Sequence, residues 1–411
     1  MIKSFGVRLD ENNGFGHGFD FVRIFLALSV LGWHCFQLAP GMKIESFALD
    51  SVQPLLWMWY DSILPMFFGL SGFLVAGSAK RLSLTNFAIN RGLRIFPALI
   101  TEIILSALVL GPIFTELSLR QYFISPRLYS YFTSIVGLIN YRLPGVFLTN
   151  PFPLTVNGSL WTVPFEMLCY LVMAFLIVKK YVQRGWLVIG IVALTIGAAI
   201  LLQESTELIT PKFHSRELIA YTFPIGLIIS LSANYLHGAT LLPCFLLGAS
   251  FYALRYKIRF DARIFLGCLF FVFAIDAIGT EKWWNLAFMQ IIIVPILIYI
   301  VCYVGLLKLP ALPYFSTGDY SYGIYLYGFP IQQALVASYV GFRNPICLMI
   351  GSFVTVTMFA TFSWHAVEKP ILKLRKNFAF VGRQRERAMV NSQSDAGRDG
   401  VFNTLINRAG P

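Results

Sequence analysis

The sequence predicts an all-α, polytopic membrane bundle of about ten crossings, and three observations carry that prediction. Of the 411 residues 57% are hydrophobic and 13% charged, with mean hydropathy +0.69, which leaves no room for a sizeable soluble domain. Apolar runs of the length a helix needs to cross a bilayer recur near 20–39, 57–78, 95–114, 159–178, 185–203, 262–280, 286–307, 319–340 and 345–366. Lys and Arg gather in short clusters between the runs, as orientation by positive cytoplasmic loops requires. The net charge of +12 is therefore a topology signal, and nucleic acid is excluded as a partner.

Charge parity fixes the expected count. Residues 217–256 hold two apolar stretches separated only by Asn234, His237 and Gly238, so hydropathy alone admits two crossings there. Lys80, Arg81, Arg91 and Arg94 precede the third run, Lys179, Lys180 and Arg184 follow the fourth, and Arg255, Lys257, Arg259 and Arg263 precede the run at 262. All are cytoplasmic only if 217–256 crosses an odd number of times, so one net crossing is expected, with both termini cytoplasmic. Residues 1–19 then form a polar cytoplasmic segment, and the first run, lacking a small-residue cleavage site, reads as a retained anchor. Residues 20–376 form the membrane domain. Within it, 115–158 is an outer loop rich in Pro, Tyr and Phe, and 377–411 reads as a disordered cytoplasmic tail. The six cysteines are scattered singly, with no CxxC and no Cys/His spacing, so neither disulfides nor a metal is expected.

Ionisable side chains inside spans are costly and mark function. The first run, FDFVRIFLALSVLGWHCFQ, carries Asp20, Arg23 and His34; the eleven-residue step from Arg23 to His34 returns to within roughly 20° of one helix face, with Asp20 close to it. Ala27 and Val30 fill the stripe between them. In the second run Ser71-Gly72 permits close backbone approach to a neighbour. Arg91 and Arg94, three apart just before the third run, form a fork suited to phosphate, although positive-inside flanking is the plainer reading of the pair by itself. Pro97 is expected to start or kink that helix, and Glu102 lies within the span in need of a partner.

The fourth run opens NGSLWTVPFE, with Ser159, Thr162 and Glu166 on one face and Trp161 near the outer surface. Glu166 and His34 fall at similar expected depth, so the carboxylate can orient the imidazole as a general base. In the run at 319, Asp319 is expected as the helix N-cap, with Ser321, Tyr325, Gly328 and Gln332 on one face. Glu368-Lys369-Pro370 is expected to end the last helix, and His17, His214, His237 and His365 read as surface residues.

Taken together and in order, FDFVR with His34, FFGLSGFL, RGLRIFPAL, SLWTVPFE, YSYGIYLYGFPI and VEKP resemble the acyltransferase-3 family of integral membrane acyltransferases, over about 20–375. The resemblance implies O-acylation of bacterial surface polysaccharides and related glycans, at the inner membrane, with acetyl-CoA as donor substrate and no permanently bound cofactor. It implies that His34 is the essential histidine and Arg23 the first-helix arginine. Arg91 and Arg94 are then the pair that handles acyl-CoA, and Glu166 the acid after the SLW motif. Ser159, Trp161 and Tyr325 are expected at the substrate. Acyl-CoA, a glycan or lipid-linked sugar and the bilayer are the expected partners. The chain departs from the family pattern at Pro65, Met167 and Gly328. A transporter or flippase of lipid-linked saccharide, with the buried charges as a proton path, is the rival expectation, but the internal repeats such folds often show are not visible.

Overall fold

The computed structural model describes residues 3–12, 14, 16, 18–39, 53–179, 240–278, 287–309 and 318–373. The expected span at 185–203, the first half of 217–256 and the expected tail at 377–411 lie outside them. Among the described residues the chain is a helical membrane bundle. Five helical stretches are long and apolar enough to cross a bilayer: Phe19–Leu38, Met58–Ala79, Leu84–Phe114, Gly158–Val178 and Pro345–Lys373. Shorter apolar helices cover Leu241–Ala253, Ala262–Ile275 and Ile292–Gly305.

A short helix, α1 (Phe5–Glu11), begins at Ser4, whose hydroxyl accepts the Val7 amide as an N-cap. Its backbone bonds the 255–260 turn, Phe5 N–H to the Ile258 carbonyl at 3.0 Å and Gly6 N–H to that of Arg255 at 2.8 Å. The N-terminal segment thus lies on the same basic end of the bundle as Arg255, Lys257 and Arg259. Helix α2 (Phe19–Leu38) runs away from that end. Helix α3 (Gln53–Ala79) follows, then α4 (Leu84–Leu105), capped by the Ser83 side chain.

Three boundaries differ from the sequence expectation. Helix α4 starts at Leu84, so Arg91 and Arg94 lie two to three turns inside it rather than flanking it, and it passes straight through Pro97. The irregularity falls later, in a π turn at Ser106–Leu110, where the widened ladder frees the Ala107 carbonyl for the Tyr122 hydroxyl at 2.6 Å. The SLW stretch is a 3₁₀ turn, Gly158–Thr162, and the α-helix proper follows it, with Pro164 in its first turn. At the far end the last helix does not stop at Glu368: a π turn, Trp364–Glu368, leads into a further turn, Lys369–Lys373.

Residues 115–158 are ordered at the opposite end to α1. Helix α5 (Leu119–Ile124) opens with a capping box between Ser118 and Gln121, and α6 (Pro126–Tyr131) follows directly. The loop is stapled to the bundle by amides. Gln333 Nε2 donates to the Phe152 and Thr155 carbonyls at 2.8 and 2.6 Å, and Asn150 Nδ2 donates to Gln333 Oε1 at 2.8 Å.

The remaining helices are α7 (Val163–Val178), α8 (Leu241–Ala253), α9 (Ala262–Ile278), α10 (Ala287–Gly305), α11 (Ser321–Ser338) and α12 (Pro345–Ser363). Helix α11 is buried on several faces and runs beside α2 in the same direction. Gln332 Nε2 locks the pair, donating to the Leu31 carbonyl at 2.9 Å and Cys35 Sγ at 3.0 Å. Helices α3 and α8 pack backbone to backbone: a Cβ on Gly72 would overlap the Phe245 carbonyl, and one on Gly248 the carbonyl of Gly69. Without a hydrophobic drive between helices in lipid, such close approach is what holds them. Gly72→Val is therefore expected to destabilise the protein by about 1–3 kcal/mol through overpacking, read as a lower unfolding midpoint in detergent; an unchanged midpoint would mean the two helices have slack to separate.

Candidate active site

A cavity of about 110 Å³ opens among α2, α3, α4, α7, α8 and α11, room for several water-sized groups. Its polar lining includes Arg23, Arg91, Arg94, Thr162, Glu166, Tyr170, Ser321 and Tyr325, while Leu64, Phe67, Leu74, Val75 and Phe245 are among its apolar walls. Residues that the sequence scatters over more than three hundred positions therefore meet around one space.

Asp319 organises its charged end. Its Oδ2 binds Arg94 Nη1 at 2.6 Å and Arg23 Nη1 at 3.3 Å, while its Oδ1 accepts the Ser321 hydroxyl at 2.8 Å. The expected N-cap role does not hold, since Tyr320 occupies that position without a side-chain cap bond. Asp319 is instead the carboxylate shared by two guanidiniums, with only 20% of its side chain exposed. Its position before a helix start gave no sign of this, because its partners lie 225 and 296 residues away in the chain. Asp20 also reaches Arg23 Nη1 at 3.3 Å, but with a side chain 77% exposed it is a weak partner.

Arg91 has a different setting. Its Nη2 donates to the Ser78 hydroxyl at 3.2 Å, and its guanidinium lies over the rings of Phe87 and Tyr170, at 5.7 and 5.5 Å. No carboxylate pairs with it among the described residues. Arg91 is the cation of the cavity with most capacity left for an anionic ligand.

Glu166 faces the same space and accepts the Tyr170 hydroxyl at 2.6 Å. No hydrogen bond joins it to His34 among the described residues, so the expected orienting pair is absent: Glu166 sits with the arginines. His34 lies about 16 Å further along α2 from Arg23, is half-buried, and meets the ring of Phe329 edge-on at 5.1 Å. It is not among the residues lining the cavity.

Of the three expected substrate contacts, Tyr325 lines the cavity, its hydroxyl 2.7 Å from that of Thr162 and donating to the Ser159 carbonyl at 3.2 Å. Ser159 is buried behind that carbonyl, and Trp161 packs against Phe165 at 6.0 Å; neither lines the cavity. Glu102 finds its partners outside the cavity as well. Its Oε1 accepts Ser106 Oγ at 2.8 Å and Asn157 Nδ2 at 2.9 Å. His365, exposed as expected, has its Nε2 3.1 Å from the Tyr320 hydroxyl.

Comparison with known proteins gives the same direction from outside the geometry. Residues 17–365 match the acyltransferase-3 family, described as an acyltransferase domain. The chain is 27% identical over 359 residues to a protein of Shigella phage Sf6 named O-acetyl transferase, covering 86% of this chain and 95% of that one. It is 28% identical over 397 residues to Nodulation protein 10 of Rhizobium leguminosarum bv. viciae, covering 89% and 96%. No solved structure matches it.

Proposed function

The chain belongs to the acyltransferase-3 family and is a membrane O-acyltransferase; we propose that it moves an acetyl group from cytoplasmic acetyl-CoA to a hydroxyl of a cell-surface or lipid-linked sugar. The observation that carries this reading is the cavity in which three arginines from two helices meet an apolar wall. A phosphate-bearing donor with an aliphatic thioester arm needs both features. Arg91 and Arg94 take the phosphates, since guanidinium groups bind them bidentately, Arg94 with the nitrogens that its bridge through Asp319 to Arg23 leaves over.

In this reading the basic end, with α1 and the 255–260 turn, faces the cytoplasm of a bacterial inner membrane, and 115–158 faces outward. His34 takes the proton of the acceptor hydroxyl as the oxygen attacks the thioester carbonyl. The C–S bond breaks, a C–O bond forms, and the proton passes to the CoA sulfur. Should His34 instead carry the acyl group as an acyl-imidazole, the kinetics are ping-pong rather than those of a ternary complex, and the imidazole is acylated in the absence of acceptor.

The test is label transfer from radiolabelled acetyl-CoA to glycan in membranes holding the full chain, with mass spectrometry of surface glycans to identify the acceptor. Arg91→Ala is expected to raise the apparent KM for acetyl-CoA by about tenfold or more, the worth of a hydrogen bond to a charged group, and to leave that for acceptor unchanged. An effect confined to the acceptor would remove Arg91 from the donor site.

A further inference from the structure

We propose that Phe329 is the partition between the donor cavity and His34, and that its ring limits the size of the acyl group that reaches the histidine; this rests on the acyltransferase reading above. Tyr325 and Thr162 line the cavity, and on α11 the next residue on the face of Tyr325 is Phe329, one turn further from the arginines. Phe329 is 2% exposed. Its ring meets His34 at 5.1 Å with an interplanar angle of 78° and Phe152 at 6.0 Å. The ring fits there because residue 158 is glycine: a Cβ on Gly158 would come within 2.7 Å of Phe329 Cε2.

The backbone beneath the ring is fixed. Pro330 has no N–H, which leaves the Leu326 carbonyl without its helical donor. Asn157 Nδ2 supplies one at 2.9 Å and reaches Glu102 Oε1 at the same distance, while Asn157 Oδ1 accepts the Ser159 amide at 3.0 Å. Asn157 therefore ties α11 to α4 and to the 3₁₀ turn at the level of Phe329. With the chain held at that level, rotation of the ring itself is the movement left to it.

His34 is absent from the cavity lining, yet reaction needs the thioester carbon within about 3–3.5 Å of the attacking group. Phe329 lies outside that lining too, between Tyr325, one turn nearer the arginines, and the His34 ring, so its ring is the side chain placed to meet the acyl group on that way. The ring takes no part in breaking the C–S bond, forming the C–O bond or moving the proton. It decides which acyl groups arrive.

The experiment compares acetyl-CoA and butyryl-CoA turnover, followed as release of the CoA thiol, in membranes holding the full chain with Phe329→Ala, Phe329→Leu or Phe329→Trp. Phe329→Ala is expected to raise the butyryl-to-acetyl ratio of kcat/KM by about tenfold or more, the discrimination that methylene-sized changes in an apolar site produce, with Phe329→Leu between it and wild type. Phe329→Trp is expected to lower kcat for both donors while leaving the KM for acetyl-CoA unmoved, a split that general loosening of the fold does not produce. If the alanine variant fails to fold, the leucine and tryptophan variants carry the same comparison. A ratio unmoved in folded variants, with wild-type turnover abolished by His34→Ala, overturns the partition alone. Turnover at the wild-type rate in His34→Ala removes His34 from the reaction and the partition with it, whereas no release of CoA thiol from either donor by the wild-type chain overturns the acyltransferase reading itself.

Discussion

Replacing His34 with alanine is expected to lower acyl transfer by about 10²- to 10⁴-fold, the contribution of a positioned acid–base group, and to leave a folded protein. The fold has little invested in this side chain. The ring is half-buried, touches Phe329 edge-on, and makes no hydrogen bond among the described residues. Neighbouring Cys35 and Leu31, by contrast, hold the contact with Gln332 on α11 and are untouched by the substitution. The measurement is label transfer from acetyl-CoA in membranes, paired with an unfolding midpoint in detergent. Turnover at the wild-type rate would leave His34 a packing residue, and a collapsed midpoint would mean the loss reports folding rather than chemistry.

Asp319→Ala is expected to be the most destabilising substitution around the cavity's arginines, at about 3 kcal/mol, the lower end of what breaking a buried ion pair costs. It removes the one carboxylate that bridges Arg23 and Arg94 and leaves, among the described residues, Arg94 without a paired carboxylate and Arg23 with only the exposed Asp20, in a bilayer-embedded site where unpaired charge is expensive. The lower end is appropriate because the three side chains keep 20–28% of their surface exposed, which lets water soften the loss. A donor-side signature accompanies it. With the bridge gone, acetyl-CoA is expected to raise the unfolding midpoint of the variant more than that of wild type, because an anionic ligand restores the missing counter-charge. Equal midpoints for variant and wild type, without donor, would show that the bridge contributes nothing to stability. Asp319→Asn keeps an acceptor for the Ser321 hydroxyl but loses the charge, so it separates that hydrogen bond from the ion pairs.

Much of the frame is legible in one dimension because its causes are local. A helix in lipid must satisfy its own backbone, so an apolar run of sufficient length predicts itself. The boundary errors are local too. Arg91 and Arg94 look like flanking charges until the helix is seen to begin at Leu84 under the Ser83 cap, and Pro97, read as a start or kink, is absorbed within α4.

The partners are another matter. That Arg23, Glu102 and Glu166 needed counterparts follows from the cost of charge in a bilayer, and the sequence by itself determined this, together with the helical membrane class and the family. Which group answers each need depends on how helices hundreds of residues apart come to lie side by side, and only the tertiary structure decided it. Asp319 serves two arginines instead of a helix end, Glu166 is held by Tyr170 of its own helix rather than by His34 on another, and Asn157 meets Glu102 while also reaching the Leu326 carbonyl that Pro330 leaves without a helical donor. Periodicity fixes the face a side chain occupies on its own helix, while hydrogen bonds and ion pairs of a few ångströms are fixed by the packing of one helix against another, which no single stretch of sequence contains.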